Sequence, residues 1–236
     1  MSIQQLETGI ASAPPSAIAA PAGFRDPTTL TKALTLLIWV SIAFGVVAIV
    51  SMIFEIKMLS DFQAGRALAD GEAESNDLRQ QAIAYVRMPV ILATVVLFAI
   101  WIYRAGYNAR QLGATGMQFS PGWAVGWYFI PFLNLWKPYQ AMKEIWKASA
   151  SPARWQDEPR GPILPLWWGF FLLSNFLNNA SFRFSLLAKE VPQLTAADIV
   201  ASASDAVDIV ASLIALALVR QIYRMQMTNR AALIYS

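Results

Sequence analysis

The 236-residue chain contains no cysteine and no histidine, and these two absences exclude whole classes of function. Haem or copper ligation by these side chains, iron–sulfur clusters and thiolate metal sites are all impossible without them. Nucleophilic catalysis by Ser-His or Cys-His pairs is excluded for the same reason. A metal could be held only by carboxylates and carbonyls, which favour magnesium or calcium. We therefore expect no cofactor, no metal site and no enzymatic activity.

Charged residues are also scarce, at 14% of the chain, against about 25% in ordinary soluble domains. Hydrophobic residues make up 56%, and the nine tryptophans and 13 phenylalanines are typical of aromatic belts at membrane interfaces. Four apolar runs approach or exceed the roughly 20 residues that a spanning helix needs. They lie at about 33–56, 86–104, 164–184 and 200–220. The sequence thus predicts an all-α integral membrane protein with four transmembrane helices in one domain, residues 26–230.

The first 25 residues have a different composition from the rest of the chain. They are rich in alanine, proline and serine, carry almost no charge and show no helical periodicity. Such a segment cannot bury enough apolar surface to fold, so we predict a disordered tail. It also lacks the charged start, apolar core and cleavage site of a signal peptide.

The distribution of lysine and arginine predicts the orientation of the spans. The tail, the 104–163 loop and the C-terminal segment together hold 12 of the 18 basic residues. Cytoplasmic loops of membrane proteins are enriched in these residues. Both termini are therefore expected in the cytoplasm, with residues 57–85 forming an outer, largely helical loop. The net charge of +3 is explained by this orientation, and we expect no nucleic-acid partner.

Residues 119–149 form an apolar, tryptophan- and proline-rich inner segment that cannot be one spanning helix. Pro121, Pro131 and Pro138 each remove a backbone donor and clash with the preceding turn. Broken backbone at membrane depth is tolerated only when protein or a water-filled cavity covers it. The segment is therefore predicted to be either re-entrant or interfacial.

After Pro138 the pattern changes to that of a short amphipathic helix on the cytoplasmic surface. Tyr139, Met142, Ile145 and Trp146 recur on its apolar face. Gln140, Lys143, Glu144 and Lys147 share its polar face. With its neighbours this helix either anchors the chain in the interface or provides a docking platform for lipid or a partner. The predicted interface consists of Trp123, Trp127, Trp136, Trp146, Lys137, Lys143, Lys147, Arg104 and Arg110.

A second candidate site lies within the third and fourth predicted spans. At a rise of 1.5 Å per residue, Asp208 falls about 18 Å from the inner boundary at Arg220, near the middle of the bilayer. Ionisable residues at this depth usually face the bundle interior or a transport pathway. Either Asp208 binds a proton, cation or small solute, or the polar groups join the helices and Arg183 neutralises an aspartate. The predicted cluster consists of Asp205, Asp208, Asn175, Asn178, Asn179 and Arg183.

Residues 101–149 carry several short motifs in a fixed order. They are an aromatic-x-Tyr-Arg sequence ending at Arg104, Asn108, Leu112-Gly113-Ala114, Phe119-Ser120-Pro121-Gly122-Trp123, Pro131-x-x-Asn134-Leu135, Pro138-Tyr139, Met142 and Glu144-Ile145-Trp146. In this combination the segment resembles the bacterial membrane family called domain of unknown function 4328. The resemblance implies a bacterial polytopic membrane protein, and it supplies no activity or catalytic residues. We expect the protein in the bacterial cytoplasmic (inner) membrane.

The functional hypothesis is a non-enzymatic structural or accessory component that docks lipid or a larger membrane complex. The alternative is a small-solute or ion-coupled transporter that uses Asp205 and Asp208, acting as a homo-oligomer. The accessory hypothesis expects these aspartates to be paired. The transporter hypothesis expects a hydrated path to reach them.

Overall fold

A computed structural model describes residues 23–235, so the predicted tail lies almost wholly outside the described residues. Six α-helices and three short 3₁₀ turns make up the secondary structure of this part, with no strand. The helices are α1 (Thr28–Gln63), α2 (Glu72–Gln111), α3 (Pro121–Gly126), α4 (Lys137–Ala150), α5 (Ile163–Leu187) and α6 (Val191–Tyr235).

The first two helices form a long hairpin and are much longer than the predicted spans. At 36 residues, α1 measures about 54 Å, so it extends beyond a hydrocarbon core of about 30 Å. The predicted outer loop is therefore mostly helix, and the connection is a short turn. Gly65 and Gly71 take positive φ angles of 93° and 76° there, a conformation that glycine adopts without steric cost. Pro89 lies inside α2 without ending it.

Side-chain contacts define how the four long helices are arranged. Hydrogen bonds between Trp101 and Thr31 and between Arg79 and Ser51 make α2 antiparallel to α1. Contacts between Thr28 and Tyr223 and between Gly45 and Ile209 make α6 antiparallel to α1. The short connection at 188–190 makes α5 and α6, which pack along each other, antiparallel as well. In the resulting bundle α1 packs between α2 and α6, and α5 packs on the other side of α6.

Three helices of the described chain, α1, α2 and α6, are long and apolar enough to cross a membrane, whereas the sequence predicts four spans. The 25-residue α5 has sufficient length. Its apolar run is interrupted in the middle by Asn175, Asn178 and Asn179. The prediction of an all-helical protein with helices able to cross a membrane is confirmed.

The inner segment folds into α3, two 3₁₀ turns and α4, which pack beneath the bundle. The apolar face of α4 contacts α2 and α6 instead of lipid. Met142 and Ile145 are 1% and 2% exposed and join a core with Trp101 and Ile222. The predicted surface-lying helix is therefore corrected to a helix packed into the protein, because its apolar stripe matches the underside of the bundle.

Candidate functional site

A group of five exposed apolar side chains projects from the inner segment, and we call it the aromatic ridge. Phe129 and Phe132 are 74% and 75% exposed, the highest values in the group. Clusters of exposed apolar side chains mark interaction sites or membrane contacts, while isolated ones need no explanation. The ridge consists of Trp123, Phe129, Phe132, Leu135 and Trp136.

The chain leading into the ridge is fixed by a buried carboxylate. Glu144 on α4 is 5% exposed, and its two oxygens accept the amide protons of Gln118 at 2.6 Å and Phe119 at 3.0 Å. Arg110 of α2 donates to the Phe119 carbonyl at 2.6 Å. The prediction that groups Glu144 with Lys143 and Lys147 on the polar face of a surface helix is therefore wrong. Burial is tolerated because backbone donors satisfy both carboxylate oxygens.

The far end of the ridge is fixed against α5. The indole nitrogen of Trp168 donates to the Leu135 carbonyl at 3.1 Å. The Tyr128 ring lies edge-on to Phe171 with centroids 6.0 Å apart. Phe171 lies eight residues into α5, about 12 Å along its axis. The segment therefore contacts α5 from Trp168 to Phe171.

Phe132 carries a local backbone distortion. Its φ angle is +63°, and no other non-glycine residue in the described range has a positive φ. This region is sterically unfavourable for a bulky side chain and costs on the order of 1–3 kcal/mol. Strained residues of this kind persist only where the surrounding structure fixes them. Phe132 is therefore both the most exposed side chain of the ridge and the residue with the unfavourable positive φ angle.

The nine predicted interface residues do not form one surface. Trp123 and Trp136 belong to the ridge, and the half-buried Trp127 lies against Trp123 with centroids 4.8 Å apart. Lys137 lies over the Trp127 ring, and Lys143 is partly exposed.

The other four have structural contacts. Trp146 is 7% exposed and contacts Gly161, so it does not lie at a lipid surface. Arg104, Arg110 and Lys147 each donate to backbone carbonyls. An arginine or lysine near an interface can donate either to a backbone carbonyl or to a lipid headgroup. The sequence pattern is the same in both cases, so it could not distinguish them.

The predicted polar cluster is only partly brought together. Asp208 accepts hydrogen bonds from Ser174 and from Asn178, the latter at 3.1 and 3.2 Å. Asp205 pairs with Arg87 of α2, so Arg183 is not its partner. Asn175 and Asn179 donate to carbonyls of their own helix and are exposed. Within residues 23–235, Arg183 is exposed and makes no ion pair.

Several polar residues in the half of the bundle nearer the α1–α2 turn were not predicted as a group. Arg79 donates to Ser51 and Asn76, and Gln80 donates to Glu55. With Arg87–Asp205 these contacts form a polar seam between α1, α2 and α6. The sequence could have predicted this seam, because the spacing of Asn76, Arg79/Gln80 and Arg87 places these residues along one face of a helix. No set of three or more metal-binding side chains occurs in the part of the chain that the structure describes.

Comparison with known proteins gives one match. Residues 64–224, more than half of the chain, match the family described as "Domain of unknown function (DUF4328)". This range includes α2, the inner segment, α5 and most of α6. No curated protein and no solved structure matches the chain.

Proposed function

Because the chain belongs to the DUF4328 family, whose description assigns no activity, we propose a function from the geometry alone. The protein is a non-enzymatic structural or accessory component of the bacterial inner membrane. Its aromatic ridge docks lipid or a larger membrane complex. The observation that carries this proposal is that the ridge side chains are exposed and apolar while the backbone of the same segment is held by hydrogen bonds to the bundle.

The fixed inner side distinguishes the ridge from a mobile loop. Hydrogen bonds that Glu144 accepts and that Arg110 and Trp168 donate hold both of its ends, so little conformational entropy is lost when the ridge binds. Exposed aromatic side chains contribute large contact area at a small entropic cost. A rigid aromatic surface of this kind fits an acyl-chain layer or the apolar face of a membrane protein.

The proposed topology has four crossings, with α5 as the third. The contacts Arg87–Asp205 and Gln226–Ala105 make α2 and α6 parallel. After α2 the chain must therefore return to the opposite end of the bundle before α6 begins, and α5 is the element that does so. Its 25 residues measure about 37 Å, enough to cross the hydrocarbon core.

This topology brings both described ends to the same side of the membrane. Thr28 at the start of α1 is hydrogen-bonded to Tyr223 near the end of α6, with 3.0 Å between their hydroxyl oxygens. Asp26 pairs with Arg230 at 3.2 Å. Together with the basic residues of the inner segment, this arrangement supports a cytoplasmic location for both termini.

The state of the two aspartates favours an accessory role over transport. Asp205 is paired with Arg87, and Asp208 is hydrogen-bonded by Ser174 and Asn178. Neither aspartate lines the groove between α1 and α2 that includes Phe54 and Arg79, or the groove between α1 and α6 that includes Lys32 and Arg220. Polar groups of this kind commonly join helices in a membrane, and that role accounts for their contacts.

The proposal is tested by gentle-detergent purification of the tagged protein and mass spectrometry of the co-purifying proteins and lipids. The test variant is Phe129→Ser/Phe132→Ser, which removes the two most exposed ridge side chains. The control is Leu186→Ser/Leu187→Ser, a pair at the outer end of α5 with exposures of 66% and 74%. Both pairs are exposed, and serine at position 132 bears the same positive-φ strain as phenylalanine, so each substitution is expected to change stability by only about 0.5 kcal/mol.

The expected result is a stoichiometric membrane partner or a specific lipid complement that the wild type and the control retain and the ridge variant loses. Equal recovery of all co-purifying molecules by the ridge variant would contradict the proposal. A lone homo-oligomer whose composition is unaffected by the ridge variant would also contradict it, and would favour transport. Asp208→Asn in a flux assay is then the next measurement.

A further inference from the structure

A groove of about 490 Å³ lies between α1 and α6 at the end of the bundle that carries both described ends of the chain. It does not include any ridge residue. From α1 it is lined by Thr28, Thr31, Lys32, Thr35, Leu36 and Trp39, and from α6 by Arg220, Tyr223 and Arg224.

The groove combines three cations with several hydroxyl groups and no carboxylate. Lys32, Arg220 and Arg224 are all exposed, and none of them forms an ion pair within residues 23–235. None of the nine lining residues is acidic. Three unneutralised cations around one groove repel each other unless an anion is bound. Arginine, lysine and hydroxyl donors are the groups that bind phosphate oxygens.

The charged and apolar parts of the groove lie at different depths. The Thr28–Tyr223 hydrogen bond fixes the register of the two antiparallel helices. One turn further along α1, Lys32 is therefore level with Arg220 on α6. Leu36 and Trp39 lie about 6 and 10 Å deeper than Lys32, toward the apolar middle of the bundle, and are 64% and 46% exposed.

We infer that this groove binds an anionic phospholipid, with the phosphate between Lys32, Arg220 and Arg224 and an acyl chain along Leu36 and Trp39. The groove has its cations at the end of the bundle and its apolar side chains further in, which is the order of headgroup and acyl chain in a lipid. Basic pockets between helices on the cytoplasmic side bind anionic headgroups in this way. The inference rests on the proposed membrane topology but involves a surface separate from the ridge.

The test is native mass spectrometry of the full-length protein released from detergent with added phosphatidylglycerol or phosphatidylcholine. The variant is Arg220→Gln/Arg224→Gln. The control, Arg154→Gln/Arg160→Gln, removes the same charge from two exposed arginines between α4 and α5. A third arm adds inorganic phosphate as a competitor, because free phosphate shares the headgroup chemistry.

Wild type and control are expected to retain phosphatidylglycerol in preference to phosphatidylcholine, and the double variant to bind phosphatidylglycerol at least tenfold more weakly. Lys32→Gln, on the opposite helix, is expected to weaken binding as well and covers the case in which the double variant fails to fold. The inference is overturned if phosphatidylcholine binds equally well, if the variants bind like the control, or if millimolar phosphate displaces the lipid. Because no ridge residue is changed, failure here is distinguishable from failure of the proposed function.

Discussion

At the scale of single residues, the described contacts separate charges that stabilise the fold from charges available to a ligand. Arg87 and Asp205 neutralise each other across α2 and α6 with side-chain exposures of 23% and 10%. Lys32, Arg220 and Arg224 have no such partner among the described residues. A paired charge in a membrane protein joins helices, whereas an unpaired one at the interface is available to a headgroup.

Asp205→Ala is expected to destabilise the protein more than Asp208→Ala. The first change leaves the Arg87 guanidinium without its counter-ion and costs about 3 kcal/mol. The second removes hydrogen bonds from the neutral Ser174 and Asn178 and costs about 1–2 kcal/mol. The measurement is the free energy of unfolding in mixed detergent micelles. Arg87→Ala/Asp205→Ala should recover part of the loss, and equal effects of the two single changes would refute the pairing.

Gly161→Ala is expected to lower stability because of its contact with Trp146. A methyl group at position 161 would approach the buried indole to 2.5 Å, so the ring or the backbone must move. Overpacking of this kind costs about 1–3 kcal/mol. Gly122→Ala is the control, since its added methyl meets nothing within 4 Å. Thermal unfolding measures both variants, and identical midpoints would show that Trp146 is not packed against Gly161.

The Asp26 carboxylate is expected to add a pH-dependent contribution to stability. Hydrogen bonds from Thr28, followed by the interaction with Arg230, hold the pKa of Asp26 below its usual 3.8. The folded state therefore binds the Asp26 proton less tightly than the unfolded state does. The stabilising contribution is complete when the pH lies above the unfolded-state pKa, and it is lost as the pH falls through the lower folded-state pKa. Melting temperatures of the wild type and Asp26→Asn should therefore differ at neutral pH and converge below about pH 4. A constant difference would contradict this assignment.

At the scale of elements, the inner segment depends on contacts between residues far apart in the sequence. Glu144 on α4 organises the turn at 118–119, and Trp168 on α5 fixes Leu135. The short α3 has only six residues, and Ser120 caps it by accepting from the Trp123 amide at 3.3 Å. A helix of this length is not stable alone, so the ridge keeps its shape through these tertiary contacts.

Glu144→Gln is expected to loosen the start of the inner segment without unfolding the bundle. The amide side chain offers one oxygen in place of two, which leaves one of the two backbone amides without its acceptor at a cost of about 1–3 kcal/mol. Limited proteolysis with chymotrypsin should then cleave faster at Phe119. Lys143→Gln, on the neighbouring residue, is the control. Unchanged cleavage in Glu144→Gln would mean that other contacts hold this turn.

The elements themselves were largely predictable, and the contacts between them were not. Apolar runs predicted the long helices, and Gly65 and Gly113 mark chain turns with positive φ as their chemistry suggests. The burial of Glu144 could not be predicted, because its partners are backbone amides 25 and 26 residues earlier. The pairing of Asp205 with Arg87, 118 residues away, likewise depends on the register of α2 and α6.

At the scale of the whole molecule, the proposed topology requires α5 to cross the membrane. Only then do the ridge, the α1–α6 groove and both described chain ends share one side, with the α1–α2 and α5–α6 turns on the other. With three crossings, the ends of α1 and α6 that the Thr28–Tyr223 contact brings together would lie on opposite sides.

The most direct measurement of this claim is cysteine accessibility, for which a chain without natural cysteine is well suited. Single variants Asp70→Cys, Arg154→Cys and Lys189→Cys are treated with a membrane-impermeant maleimide in intact cells and again after permeabilisation. With four crossings, positions 70 and 189 are labelled in intact cells, and position 154 is labelled only after permeabilisation. Labelling of position 189 only after permeabilisation would contradict this topology, because α5 would then not cross the membrane.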